Sequence, residues 1–320
     1  MKRILFPLML LALGPHTAAR AEPNAIMQDL KPAQAALAAA DYPRAFALFR
    51  HEADRNPLAQ FTLALFYQNG WGRSRDPAAA CGWFEKAAQQ GVPAGEHFWG
   101  DCLAQGIGRT ADITSALAWY DKAAADGHLF SQCAAADYYI QGKGVAKDVA
   151  RGLGMCTRVA QANSAPAMLK LAHYYRDGRD VPQDLALARR WLQGAAELGN
   201  LEAQCDLGVM LSQGEGGDPD LNKALFWLET AASAGYAPAY LPTAILYANA
   251  PVQKDTGALA PEHLAKIYLW ASAAKARGER PEVRARAAAI ESQVLAVMPA
   301  SWRPDLDRKV AAHLTQYPKP

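Results

Sequence analysis

A 36-residue period runs through most of this 320-residue chain, and it constrains the fold more than any other feature. Positions 36 residues apart carry similar residues, and we call each such set of equivalent positions a column. The aspartate column consists of Asp76, Asp112, Asp148, Asp184 and Asp220. The tryptophan column consists of Trp83, Trp119, Met155, Trp191 and Trp227, and resumes 43 residues later at Trp270. A period of this length is typical of repeat proteins in which each repeat is one supersecondary unit.

Each repeat reads as a helical hairpin. Apolar residues four apart, such as Leu171 and Tyr175, form one stripe along a first helix, which we call helix A. Gly70 and its equivalents end helix A, because glycine readily adopts the left-handed conformation of helix ends. The aspartate column caps the start of a second helix, helix B. In the first repeat, these signals predict helices over residues 57–68 and 77–90.

The period also predicts the fold class and the domain organisation. We expect an all-α, right-handed α/α superhelical solenoid of about six to seven helix-turn-helix repeats with a C-terminal capping helix. The array covers residues 57–278, with an insertion within 251–261 that accounts for the longer last interval. Residues 22–56 form an N-terminal degenerate repeat or cap, and residues 279–320 form a C-terminal helical cap.

The first 21 residues read as a signal peptide. Lys2 and Arg3 precede an apolar stretch from Ile4 to Gly14 that is too short to span a bilayer. Small residues at positions 19 and 21 predict cleavage after Ala21, although a buried N-terminal helix is the alternative. We therefore expect a periplasmic protein whose mature chain has no membrane span.

The charge balance argues against a nucleic-acid partner. The net charge is +2, and loss of the first 21 residues removes Lys2, Arg3 and Arg20 to leave −1. A nearly neutral chain offers little electrostatic attraction to a phosphate backbone.

The conspicuous polar residues are better explained by helix ends than by catalysis. The Gly-x-Gly turns recur with the 36-residue period in four of the five repeats and lack the Lys-Ser/Thr of a phosphate-binding loop. The aspartates are a whole repeat apart, which favours capping over catalysis or metal binding. The sequence contains neither His-Glu-x-x-His nor Gly-x-Ser-x-Gly. We therefore predict no catalytic residue, no metal, no cofactor and no enzyme activity.

Four of the five cysteines occupy columns that are mostly filled by apolar residues, and they fall into two pairs. Cys81 and Cys102 lie symmetrically about the turn at 91–92, and Cys133 and Cys156 about the turn near 144–145. Export favours two disulfides with Cys205 unpaired. Five buried free thiols remain the alternative, since cysteine is a common core residue.

The columns resemble the Sel-like repeat family, whose members are related to tetratricopeptide repeats. The resemblance rests on segments such as Ala203–Gly208, Gly142–Val145 and Ala118–Ala124, and it extends over residues 57–278. The sequence differs most from the family pattern in the third repeat, where Met155 and Cys156 replace a Trp-Tyr pair. Family resemblance implies an adaptor that regulates sensor kinases, scaffolds envelope machines or takes part in host interaction.

The architecture and the resemblance together favour a non-enzymatic interaction scaffold or regulatory adaptor that binds a protein or peptide of the cell envelope. Solenoids of this kind expose a concave surface lined by their A helices. The A-helix side chains outside the core predict a mixed polar and aromatic groove, and an ordinary solvated face is the alternative for each of them. The candidate groove residues are Phe98, Asp101, Asp137, His173 and Arg176.

Two other functions remain open. The chain could be a cell-wall ligand binder or enzyme with penicillin-binding-like activity, as in cysteine-rich relatives, although their cysteine pairs are more regular. It could also be a structural component of an envelope machine.

Overall fold

The computed structural model describes residues 28–317, which are all-α and contain no β-strand. The predicted signal peptide lies outside the described residues. The α-helices are α1 (Lys31–Ala38), α2 (Tyr42–Glu52), α3 (Pro57–Asn69), α4 (Pro77–Gln89), α5 (Pro93–Gln105), α6 (Ile113–Ala125), α7 (Phe130–Gln141), α8 (Val149–Gln161), α9 (Ala165–Asp177), α10 (Leu185–Glu197), α11 (Leu201–Gln213), α12 (Leu221–Ser233), α13 (Tyr240–Ala248), α14 (Pro261–Arg277), α15 (Pro281–Val297) and α16 (Arg303–Gln316).

The described chain divides into two compact units. The N-terminal unit, up to Ala162, holds α1–α8, and the C-terminal unit, from Asn163, holds α9–α16. In both units each helix packs against its neighbours in sequence, except that α16 packs against α14. The A helices are α3, α5 and α7 in the first unit and α9, α11 and α13 in the second.

The repeated aspartates and glycines set the helix ends, as the period predicts. Each aspartate of the column accepts a hydrogen bond from the backbone N–H three residues later, for example from Leu187 N to Asp184 at 2.8 Å. This is the N-cap interaction, which satisfies a backbone donor that lacks a partner within the helix. Gly178 ends α9 with a φ of +66°, a left-handed conformation that favours glycine.

A column of small residues lies on the A helices, and within each unit it lets an A helix lie close to the preceding B helix. All members of this column are buried. They are Ala59, Gly95, Ser131, Ala167, Ala203 and Ala239. At Gly95 a Cβ atom would lie only 3.0 Å from the Cβ of Ala87, so any larger side chain would push α5 away from α4.

Two disulfides link helices of the N-terminal unit. Cys81 of α4 is bonded to Cys102 of α5, with their Cα atoms 5.8 Å apart. Cys133 of α7 is bonded to Cys156 of α8, with a Cα separation of 4.1 Å. Cys205 is free and buried, and burial raises the pKa of its thiol to about 12, with help from the charges of Asp206 and Glu202. Both predicted pairs are therefore joined, and Cys205 stays protonated at neutral pH.

The ends of the array are closed by helices without the repeat signature. In the N-terminal unit α1 and α2 bury Leu30, Ala33 and Phe49 against α3. In the C-terminal unit α16 contributes Leu306 to the last core, and His313 lies 3.0 Å from the hydroxyl of Tyr240. Residues 249–260 form the connection between α13 and α14, where the period lengthens.

Candidate functional site

Asp101 is the centre of a polar cluster on the A helices of the N-terminal unit. Its side chain on α5 is 32% exposed. It accepts a hydrogen bond of 2.6 Å from the hydroxyl of Tyr120 on α6. The other carboxylate oxygen lies 3.7 Å from Nε2 of His97, one turn earlier on α5. The carboxylate is thus held in place while part of it faces solvent.

A chain of hydrogen bonds continues from His97 into the interior. The hydroxyl of Ser131 lies 3.2 Å from Nδ1 of His97 and 2.8 Å from Nδ1 of His128. Because Nε2 of His97 faces a carboxylate, we place a proton there and assign Nδ1 as the acceptor from Ser131. Ser131 then accepts from Nδ1–H of His128, so each group in the chain has a defined role.

Burial keeps His128 and Tyr120 of this cluster uncharged at neutral pH. Burial, and after it the neighbouring His97, lowers the pKa of His128 to about 4. Burial also raises the pKa of Tyr120, as do the charge of Asp101 and the hydrogen bond to it. At neutral pH His128 is uncharged and Tyr120 is a hydrogen-bond donor.

The same cluster contains a serine, a histidine and an aspartate, the residue types of a hydrolase triad. A nucleophilic serine must reach its substrate, but Ser131 is 0% exposed. Its hydroxyl is also engaged by two histidine rings. The arrangement therefore suits structural hydrogen bonding and not nucleophilic attack.

Phe98 and Asp137 lie on neighbouring A helices of the same unit. The half-buried ring of Phe98 stacks on Phe84 with a centroid distance of 4.9 Å. Asp137 on α7 is also half-buried, and burial, Asp101 and Asp137 all raise the pKa of the adjacent Tyr138. Phe98 thus combines partial exposure with a fixed ring contact, and Asp137 is partly exposed and acts electrostatically on Tyr138.

In the C-terminal unit, Asp206 connects the two remaining candidates. Its carboxylate on α11 lies 2.6 Å from the Arg176 guanidinium and 3.1 Å from Nε2 of His173, both on α9. Burial tends to raise the pKa of Asp206, but the bond from His173 and the charge of Arg176 outweigh it and lower the pKa. The side chains of His173, Arg176 and Asp206 are 33%, 32% and 26% exposed. Asp206 and Arg176 are thus ionised, and the three side chains are ordered and accessible.

Several residues of these clusters were missed from the sequence. They are His97, Tyr120, His128, Ser131 and Asp206. His97 could have been recognised from the sequence, because it is a polar residue in a column that otherwise holds apolar residues such as Phe61 and Leu169. Asp206 shares the surface column of Phe98, but its contact with His173, 33 residues away in the sequence, could not be read from the period.

Within residues 28–317 no group of three or more His, Cys, Asp or Glu side chains is arranged to hold a metal ion. No helix in that range is long and apolar enough to cross a membrane.

Solved structures define the class as α/α solenoids built from helical hairpins. A Sel1 repeat protein from Oxalobacter formigenes is 27% identical, with a TM-score of 0.59, and the match covers 78% of this chain and 100% of that one. A protective antigen of uropathogenic Escherichia coli that displays the SLR fold is 23% identical, with a TM-score of 0.58 and coverage of 85% and 56%. Yeast Tom70 is 14% identical, with a TM-score of 0.53 and coverage of 92% and 69%, and this likeness shows the fold alone.

The family follows from five consecutive matches to the model of the Sel1 repeat. They cover more than half of the chain, at residues 57–92, 93–128, 129–164, 165–200 and 201–236. The chain belongs to the Sel1 repeat family. No curated protein matches it significantly.

Proposed function

We propose that this protein is a non-enzymatic scaffold or adaptor of the bacterial periplasm, and that it binds a protein or peptide through the exposed faces of its A helices. Repeat solenoids commonly use such extended surfaces for binding.

The observation that carries the proposal is the His173–Asp206–Arg176 network. Its three side chains are held together by short polar contacts, yet about a third of each histidine and arginine side chain faces solvent. Charged groups that are already ordered lose little conformational freedom when a partner binds. Arginine is also enriched among residues that dominate binding energy. In the N-terminal unit, Asp101 and Phe98 are similarly fixed and partly exposed.

Two features support a periplasmic location. The disulfides Cys81–Cys102 and Cys133–Cys156 are of a kind that persists in oxidising compartments. The basic and apolar N-terminal segment has the features of a cleavable export signal.

In-cell photo-crosslinking tests the proposal. A photoreactive amino acid replaces His173 on α9 in one strain and Arg190, an exposed residue of the neighbouring B helix α10, in the control strain. We expect position 173 to crosslink to one discrete envelope protein that position 190 does not capture. Arg176→Ala should reduce the yield of that adduct. Crosslinks to peptidoglycan alone, or equal capture from both positions, would contradict the proposal.

A further inference from the structure

The tryptophan column forms ring–cation contacts on the B helices of the N-terminal unit. Over the ring of Trp83 on α4 lie Lys86, at 4.2 Å from its centroid, and Arg50 of α2, at 5.2 Å. One repeat later Lys122 lies 5.8 Å from the ring of Trp119. The residue three positions after the tryptophan is therefore a cation that covers the indole.

The third repeat keeps the cation and lacks the indole. Arg158 follows Lys86 and Lys122 in the cation column, but Met155 occupies the tryptophan position. The guanidinium of Arg158 folds toward Gly154, where a Cβ atom would lie 3.8 Å from Nη1. Met155 is buried and, as a methionine, offers Arg158 no aromatic ring.

A notch of about 280 Å³ lies where the indole is missing. Its walls come from α6, α7 and α8. The lining residues are Asp121, Gln132, Ala150, Arg151, Gly154, Met155 and Arg158. The helix α6 on one wall is the B helix that precedes α8, just as the Arg50-bearing helix α2 precedes α4. The notch is thus the counterpart of the place that Trp83 fills in the first repeat.

The charged residues that line the notch favour an aromatic ligand over an anionic one. Arg158 is exposed and forms no ion pair among the described residues. Arg151 already covers the ring of Tyr139, at 4.0 Å from its centroid. An anion would meet one uncommitted guanidinium but also the carboxylate of Asp121. A flat ring would meet Arg158 in the way that Trp83 meets Lys86, through a cation–π contact.

We propose that this notch binds an aromatic side chain, of tryptophan type, from a partner protein, which takes the place of the absent indole. The site is built mainly from the B helices α6 and α8, with Gln132 of the A helix α7 on one wall. It contains none of the A-helix residues on which the proposed function rests. Aromatic side chains are frequent anchors in protein interfaces because they supply a large rigid contact area.

The test uses N-acetyl-tryptophanamide as a probe for the partner side chain and the full protein in ligand-observed NMR. The wild type should give a saturable signal. Met155→Trp, which restores the residue of the other repeats, should reduce affinity at least about tenfold because the notch is then filled. Arg158→Ala should weaken binding about fivefold to tenfold, the loss of one cation–π contact. Arg190→Ala on α10 is the matched control and should bind as the wild type does.

Three results would overturn the proposal. The first is that the wild type gives no saturable signal with the probe. The second is that Met155→Trp unfolds at the wild-type temperature yet binds the probe as tightly as the wild type does. A third contrary result is that succinate, used as an anionic probe, binds in an Arg158-dependent way while the aromatic probe does not. Circular dichroism of each variant shows whether the loss of an NMR signal is due to unfolding. If Met155→Trp fails to fold, Arg158→Ala, which changes an exposed residue, still tests the proposal.

Discussion

Glu96 occupies a column in which other repeats use glutamine to bind the preceding B helix. Gln60 donates its amide to Ala53 O at 2.7 Å, and Gln204 donates to Ala196 O at 3.1 Å. Glu96 is 0% exposed, and one of its oxygens pairs with Lys122 while the other has no hydrogen-bond partner. Burial raises its pKa, although Lys122 opposes the rise. Glu96 thus places a buried carboxylate at a position where Gln60 and Gln204 donate an amide hydrogen bond to the backbone.

We predict that Glu96→Gln stabilises the protein by about 1 kcal/mol at pH 7. The amide would regain a backbone hydrogen bond and remove a buried, incompletely paired charge, and Lys122 would keep its contact with Asp126. Urea unfolding followed by circular dichroism measures the change. A destabilised variant would show that the pair with Lys122 outweighs the cost of burying the carboxylate.

His128 should make the stability sensitive to acid. Its pKa is about 4 in the folded protein and about 6.5 when unfolded, so the unfolded chain binds the proton more readily between these values. Stability from this group is complete above pH 6.5 and is lost as the pH falls toward 4, by about 3 kcal/mol at most. Asparagine occurs at the equivalent position 200, so His128→Asn is a suitable variant. Its unfolding free energy should vary less over this pH range, and an unchanged pH profile would exclude His128 as the source.

The helices follow directly from the sequence because their ends are specified locally. The predicted spans 57–68 and 77–90 differ by one residue from the observed Pro57–Asn69 and Pro77–Gln89. The aspartate N-caps and left-handed glycines that mark these ends act within a few residues. The candidate site was less accessible to sequence analysis. The contacts of His97 with Ser131 and of His173 with Asp206 depend on the register between A helices one repeat apart.

The aspartate caps give a prediction for single helices. Asp184→Ala removes the hydrogen bond to Leu187 N at the start of α10 and should cost about 1 kcal/mol of stability. Asp121→Ala, an exposed aspartate inside α6, should change stability by less than about 0.5 kcal/mol. Chemical unfolding of both variants tests the difference, and equal effects would count against capping as the role of the column.

The disulfides tie helices together in the N-terminal unit, and their presence is directly measurable. After denaturation without reductant, an alkylating reagent should modify only Cys205, and all five cysteines should react after reduction. Intact-mass spectrometry counts the added groups. Modification of five cysteines without reduction would mean that neither bond forms.

Removal of Cys81–Cys102 should also destabilise the N-terminal unit. The bond closes a loop with a sequence separation of 21, for which chain entropy predicts a loss of about 3 kcal/mol. The Cys81→Ser/Cys102→Ser variant should unfold at lower urea concentration, and Cys205→Ser, which breaks no disulfide, is a control for the loss of a buried thiol. Equal shifts in the two variants would assign the effect to core packing instead.

At the scale of the whole molecule, repetition explains most conspicuous residues and isolates those with another role. The aspartates, glycines and small residues serve helix ends and close packing in repeat after repeat. The residues that interrupt the columns are different: His97 enters an apolar column, and Met155 replaces a tryptophan. These individual departures from the columns are therefore the positions that the repeat architecture alone does not explain.

The most direct test of the proposed scaffold function is the affinity for the partner identified by crosslinking at position 173. Isothermal titration compares the purified wild type with Arg176→Ala and with Arg190→Ala, which removes an exposed arginine from a B helix. We predict that Arg176→Ala weakens binding at least about tenfold while Arg190→Ala leaves it unchanged. Equal affinity of all three proteins would contradict the assignment of binding to the A-helix surface.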